Sequence, residues 1–109
     1  MSLAERLIEQ LGDSSRSFAL ADGDILVREG DEADNVYFIV SGVLEATNAK
    51  PQGDIVVGTI EAGEIIGEVT VIAGGRRTAT LRAKGAAQVL EIHRNDFETW
   101  LNDNVEIAD

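Results

Sequence analysis

Short runs in which apolar and polar residues alternate fill the chain from about residue 17 to residue 93. Aliphatic and β-branched residues dominate these runs, and glycine, aspartate or proline stands between them, a pattern typical of β-strands joined by tight turns. Parallel strands need helical crossovers, and no stretch between the runs is long enough for one, so we expect an antiparallel sandwich or barrel. The predicted strands are Ser17–Leu20, Asp24–Arg28, Asn35–Val40, Val43–Thr47, Ile55–Ile60, Thr78–Ala83 and Gln88–His93.

Helical patterns flank the predicted strands. Residues 2–12 combine a stripe of leucine and isoleucine with a terminal glycine and predict an amphipathic N-terminal helix. Asn95 and Glu98 have the spacing of a capping box and predict a short helix over residues 95–102, with Trp100 as a core residue on its apolar face. The sequence therefore predicts a mainly β fold with flanking helices, an antiparallel β-roll or jelly-roll barrel that forms a single domain over residues 1–109.

The composition describes an ordinary globular domain. Hydrophobic residues make up 44% of the chain but aromatic residues only 5%, so we expect an aliphatic core. The sequence has no cysteine, which excludes disulfides, thiolate metal sites and cysteine nucleophiles. No apolar run approaches the roughly 20 residues of a membrane span, and the charged N-terminal residues do not resemble a signal peptide. We expect a cytoplasmic protein, or the cytoplasmic part of a larger one.

The charge is strongly acidic, with a formal net value of −11 from 20 acidic and 9 basic residues. Such a surface repels nucleic acids and anionic lipids, so neither is expected as a partner. Arg76, Arg77, Arg82 and Lys84 nevertheless fall close together in the sequence. This segment is the one place in the sequence where an anion is expected to bind.

Catalytic patterns are missing from the sequence. His93 is the single histidine, so a two-histidine metal site is impossible, and a lone histidine late in a strand is usually structural. Neither a serine nucleophile elbow nor a phosphate-binding loop with Gly-Lys-Ser/Thr is present. We therefore expect a binding module that is not an enzyme and needs no cofactor or metal.

Arg77 is the residue whose side chain calls for an anionic partner. In the predicted strand it shares parity with Ala79, Leu81 and Ala83, so it points inward if those residues face the core. An inward guanidinium needs a partner because an unpaired buried charge is costly, and either an internal carboxylate or a bound phosphate satisfies this need. The preceding segment 68–73 has glycine-rich flanks that favour a tight turn, which can present backbone N–H groups to an anion.

Three blocks of the sequence resemble cyclic-nucleotide-binding domains. Residues 67–80, GEVTVIAGGRRTAT, are similar to the phosphate-binding cassette of cyclic-AMP-dependent kinase regulatory subunits and nucleotide-gated channels. Residues 23–42, GDILVREGDEADNVYFIVSG, resemble the strand-turn-strand signature of the family, and residues 91–97 resemble the exit from its barrel into a helix. The resemblance spans about residues 17–103, with the blocks in the family's order.

This resemblance implies a cyclic nucleotide, cyclic AMP or cyclic GMP, as the ligand and a role for each residue of the cassette. Arg77 would pair with the phosphate oxygens, and Glu68 would accept a hydrogen bond from the ribose 2′-hydroxyl. Backbone groups of the cassette would line the ribose-phosphate, and Ile66 and Val57 would pack near the base. The ligand-binding residues implied are Gly67, Glu68, Val69, Thr70, Arg77, Thr78 and Ala79.

The sequence also departs from the family and leaves alternatives open. Thr70 stands where many members have alanine, and Arg76 stands where many have proline. The lid helix that closes over the base would begin near Asn104, and we expect the chain to lack it and to bind with modest affinity. A ligand-free structural or interaction module on the same fold is the rival interpretation. The choice between cyclic AMP and cyclic GMP, and the effector domain or subunit regulated, stay open.

Overall fold

A computed structural model describes Arg6 and residues 9–11, 15–67 and 75–104. Arg6 and residues 9–11 are helical, and the rest of the predicted N-terminal helix lies outside the described residues. The elements that follow are β1 (Arg16–Leu20), β2 (Ile25–Val27), β3 (Asn35–Ser41), β4 (Val43–Asn48), β5 (Ile55–Glu61), β6 (Ile65–Ile66), β7 (Thr80–Ala83), β8 (Ala87–His93) and α1 (Arg94–Asn104).

The strands form two four-stranded sheets, in the orders β1-β8-β3-β6 and β2-β7-β4-β5. Every pairing between the described strands is antiparallel, as short turns without helical crossovers require. The predicted antiparallel β-roll is therefore confirmed, although the strands of the described residues form two sheets and no closed barrel. Strand β5 forms one edge of its sheet, and Val56 and Val57 on this strand are exposed.

The structure adds one strand to those predicted and shifts most of the predicted element ends by one or two residues. Strand β6 was not predicted, because two residues between glycine-rich turns are too few to show an alternating pattern. Strand β7 begins at Thr80, two residues later than expected. Helix α1 begins at Arg94, and the Nδ1 atom of His93 accepts a hydrogen bond of 3.1 Å from the backbone N–H of Asn95. His93 thus satisfies a free N–H group at the start of the helix.

Two hydrophobic clusters form the core. The first draws its largely aliphatic residues from both sheets, with Ile39, Leu44 and Val89 completely buried. The second joins α1 to β3 and β8, and its aromatic residues are Phe97 and Trp100, whose ring centroids are 6.2 Å apart. Trp100 is 3% exposed, which confirms that it is a core residue.

Backbone hydrogen bonds attach the segment before β7 to the turn between β2 and β3. The backbone N–H of Arg77 donates to the carbonyl of Asp31 over 2.8 Å, and the carbonyl of Arg77 accepts from the N–H of Gly30 over 2.9 Å. Glu32 and Arg76 form an adjacent antiparallel bridge. Because both backbone groups of Arg77 are bonded to one turn, the direction of its side chain is fixed by the fold.

Candidate ligand-binding site

A cavity of about 230 Å³ lies between the two sheets and the segment before β7. Four of the predicted ligand-binding residues, Gly67, Arg77, Thr78 and Ala79, come together in its wall. Strands β2, β4, β5, β6 and β7 supply the remaining wall, which is apolar. Glu68, Val69 and Thr70, the other predicted ligand-binding residues, lie outside the described residues. The other wall residues are Val27, Ala46, Ile60, Ile66 and Leu81.

The guanidinium of Arg77 is the charged group of this cavity, and the residue is 7% exposed. Its Nη2 atom donates a hydrogen bond of 2.5 Å to the backbone carbonyl of Asn35. Its Nε and Nη1 atoms are buried and have no hydrogen-bond partner among the residues that the structure describes. Two charged donors are therefore unsatisfied within the described residues, and a planar pair of N–H groups suits the oxygens of a phosphate or carboxylate.

The surroundings of Arg77 shift the pKa of its guanidinium in opposite directions. Burial lowers the pKa of the Arg77 guanidinium, whereas the nearby Tyr37, Asp34 and Asp31 raise it. Arginine remains protonated in proteins, so the cavity holds a cation that has lost much of its hydration. A group in this state gains more from an anion than an exposed arginine does, because the interaction takes place in a lower dielectric.

Two residues enclose the guanidinium without bonding to it. The ring of Tyr37 lies beneath it, with 5.6 Å between the ring centroid and the Cζ atom of Arg77. Gly67 lies against it so closely that a Cβ atom on this residue would overlap the Nη1 atom of Arg77. The backbone of Gly67 also has a positive φ of 87°, which glycine adopts most readily. The position of the guanidinium thus depends on a glycine at residue 67.

The alternation of residues predicted correctly that the side chain of Arg77 points inward, but it placed Arg77 in the wrong structural element. Arg77 points inward from the bridged segment before β7 and not from the strand itself. Ile66 lines the cavity as expected, whereas Val57 is 50% exposed on β5 and is not among the lining residues. Sequence reasoning missed the contribution of Tyr37, because an aromatic residue in an apolar strand has the same pattern whether it packs in a core or under a charge.

Another cavity, of about 310 Å³, lies beside the turn between β2 and β3. Its charged lining residues are Glu32, Asp34, Arg76 and Arg94, so carboxylates stand next to both arginines. Arg76 and Arg94 also donate to backbone carbonyls, those of Gly30 and Ala33, over 3.0 Å each. The mixed charges make this cavity a weaker site for an anion than the one around Arg77.

Comparisons with known proteins identify the family. The cyclic nucleotide-binding domain family matches residues 18–104. A cAMP-dependent protein kinase regulatory subunit from Blastocladiella emersonii is 29% identical over 99 residues, which are 90% of this chain and 25% of that protein. A cyclic nucleotide-gated potassium channel from Rhizobium etli is 32% identical over 87 residues, which are 80% of this chain and 23% of the channel.

A solved structure has the same fold. The N-terminal domain of a transcriptional regulator from Streptomyces coelicolor A3(2) superposes with a TM-score of 0.79 at 30% identity, covering 94% of this chain and 74% of that one. This chain belongs to the cyclic nucleotide-binding domain family, a regulatory and non-catalytic fold. It spans about a quarter of the length of the two curated relatives. No helix among the described residues is long and apolar enough to cross a membrane.

Replacing Gly67 with alanine should reduce both nucleotide affinity and stability, whereas a matched control should reduce stability alone. The Gly63→Ala variant is the matched control, because Gly63 has a similar φ of 92° with nothing within 4 Å of an added Cβ. We expect each variant to lose about 1–2 kcal/mol of unfolding free energy in denaturant titrations, the cost of a left-handed backbone. Calorimetric titration should show Gly67→Ala losing at least about 10-fold in affinity, the scale of one disturbed charge-assisted hydrogen bond, and Gly63→Ala losing little. Equal affinity losses in the two variants would contradict this account.

Proposed function

We propose that this chain senses a 3′,5′-cyclic purine nucleotide and that Arg77 binds its phosphate. The observation that carries the proposal is a buried guanidinium in a cavity, with two donors that lack a partner among the described residues. Arg16–Glu91 and Lys84–Glu45 form ion pairs among those residues, and neither pair involves Arg77. Asp31 and Asp34 act on the charge of Arg77, but neither forms a salt bridge with it among the described residues, which supports a phosphate as the partner of its remaining donors.

The rest of the cavity suits the remainder of such a ligand. Its apolar wall, which includes Ile60, Ile66 and Leu81, can cover a sugar or a base, while the charged group sits on Arg77. Binding sites of this kind combine mostly apolar walls with a few polar groups that fix orientation. A cyclic nucleotide has this distribution, because one compact anion is attached to an uncharged ribose and a flat aromatic base.

The cassette supplies the other proposed contacts. Glu68 accepts a hydrogen bond from the ribose 2′-hydroxyl, and backbone groups of Gly67, Val69, Thr70 and Thr78 lie along the ribose-phosphate. These roles rest on the spacing of residues 67–80 and its resemblance to the family's cassette. Gly67 and Thr78 support them further, since both line the cavity together with Arg77.

We further propose that nucleotide binding by this chain regulates an effector domain or subunit. The relatives with similar segments include a kinase regulatory subunit and a gated potassium channel, and in both the matched segment is about a quarter of the protein. This arrangement supports a regulatory domain attached to or associated with another unit, whose identity stays open. The cytoplasmic location, the absence of nucleic-acid and membrane partners and the single-domain organisation of residues 1–109 stay predictions.

The direct test is titration of the protein with cyclic AMP and cyclic GMP. We expect at least one of them to bind and linear 5′-AMP to bind much more weakly. Arg77→Leu should lose about 3–5 kcal/mol of binding free energy, the scale for removing one member of a desolvated charge pair. Arg82→Leu is the matched control, because it removes the same charge from a residue that is not among the cavity lining. Unchanged affinity in Arg77→Leu would refute the site, and no binding by the unmodified protein would favour the ligand-free module.

The role of Glu68 can be tested with a paired change in protein and ligand. Glu68→Ala and the 2′-deoxy nucleotide should each lose about 1.5–3 kcal/mol, the scale of a hydrogen bond to a charged group. Combined, they should lose much less than the sum, because both changes remove the same contact. Calorimetric affinities for the four combinations measure this coupling, and full additivity would count against the pairing.

Thr78 bears on the choice of base. It is exposed yet lines the cavity, so its side chain stands at the mouth, and its backbone carbonyl is held by the Nδ2 atom of Asn48 over 2.7 Å. If its hydroxyl contacts the guanine amino group, Thr78→Ala should weaken cyclic GMP by up to about 10-fold and leave cyclic AMP nearly unchanged. Competition binding with both nucleotides measures this ratio. Equal losses would assign the hydroxyl to the phosphate and base preference to other residues.

A further inference from the structure

We propose that Tyr37 is a positioning residue that holds the Arg77 guanidinium ready for the phosphate by stacking beneath it. This inference rests on the proposed function, because it explains how the site keeps its arginine in place for the phosphate. The ring centroid of Tyr37 is 5.6 Å from the Cζ atom of Arg77, within the range of a cation–π contact. Both residues are 7% exposed, so water contributes little to stabilising the charge in this position.

An aromatic ring and a carboxylate stabilise a buried guanidinium in different ways. A buried arginine is usually neutralised by a carboxylate, but a bound carboxylate occupies the same N–H groups that a phosphate needs. An aromatic ring instead attracts the cation through its π-face and leaves the N–H groups at the edge of the guanidinium free. Here the Nη2 atom is bonded to the carbonyl of Asn35, while Nε and Nη1 have no partner among the described residues. Stacking on Tyr37 therefore stabilises the charge without competing with an anionic ligand.

Tyr37 is itself held in a fixed orientation. It lies in the middle of β3, paired in register with Glu91 of β8 on one side and Ile66 of β6 on the other. Its hydroxyl donates to the Oε2 atom of Glu91 over 3.2 Å, and the Oε1 atom of Glu91 lies 3.6 Å from the Nε atom of Arg16. Burial, followed by the negative charge of Glu91, raises the pKa of the Tyr37 hydroxyl, so the phenol stays neutral at physiological pH. The hydroxyl thus fixes the ring, and the ring acts on Arg77.

Because the ring of Tyr37 contacts Arg77 and the hydroxyl does not, variants of Tyr37 should differ in their affinity for a cyclic nucleotide. Tyr37→Phe retains the ring and should bind a cyclic nucleotide within about 3-fold of the unmodified protein. Tyr37→Leu retains an apolar side chain without the ring and should lose between about 3-fold and about 30-fold, the range of a partly to fully desolvated cation–π contact. Val36→Ala is the control for general destabilisation, because Val36 is completely buried on the same strand but belongs to the other cluster. It should lose stability and keep its affinity.

A measurement without ligand tests the stacking directly. In the spectrum of the free protein, the Nε–H proton of Arg77, assigned by its disappearance in Arg77→Lys, should be displaced upfield by the ring current of Tyr37. The displacement should persist in Tyr37→Phe and vanish in Tyr37→Leu. Should Tyr37→Leu not fold, the unmodified protein still decides the matter, because an undisplaced Arg77 signal overturns the proposal.

The two proposals fail in different ways. If the unmodified protein binds neither cyclic AMP nor cyclic GMP, the proposed function is wrong, while the displaced Arg77 signal still reports the stacking. If it binds and Tyr37→Leu matches Tyr37→Phe in affinity, the nucleotide site stands and the positioning role of Tyr37 is wrong. An affinity loss of equal size in Val36→Ala would likewise overturn that role.

Discussion

The cost of enclosing one positive charge constrains the architecture around the cavity. A guanidinium removed from water loses the stabilisation that hydration provides, so protein contacts must replace it. Arg77 is stabilised by a backbone carbonyl, an aromatic face and two nearby carboxylates. All of these groups belong to one short segment, residues 31–37, which comprises the turn before β3 and the beginning of that strand. The turn between β2 and β3 also forms hydrogen bonds with the backbone of Arg77. It therefore fixes the position of the guanidinium, and its carboxylates lower the free-energy cost of burying that charge.

The glycine and the tyrosine on either side of this charge serve one geometric purpose. Gly67 provides room that no other residue would leave, and Tyr37 supplies a surface that attracts the cation. Both are placed by β6, a strand of two residues that pairs with Tyr37 and Phe38 and ends immediately before Gly67. This short strand therefore connects the sheet to the beginning of the cassette and brings its first residue against the arginine.

The sequence predicted those features that depend on local pattern. Alternating and β-branched residues revealed seven of the strands, including the largely exposed β5, and turn residues separated them. The inward direction of Arg77 followed from its parity with three small or apolar residues. The two-residue strand β6 has too few residues for alternation, and the stacking of Tyr37 is a contact across 40 residues of chain that no local pattern records. The chemistry of Glu68, Val69 and Thr70 rests on motif spacing alone.

The acidity of the surface has a consequence for the rate at which a ligand arrives. With a net charge of −11, the chain repels an approaching anion at long range, whereas Arg77 attracts it only after it has entered the cavity. The electrostatic steering common at anion sites is thus reversed here. Salt screens exposed charges more effectively than enclosed ones, so moderate ionic strength lowers the outer barrier while leaving much of the inner attraction intact. Added salt would then hasten the encounter, contrary to its usual effect on oppositely charged partners.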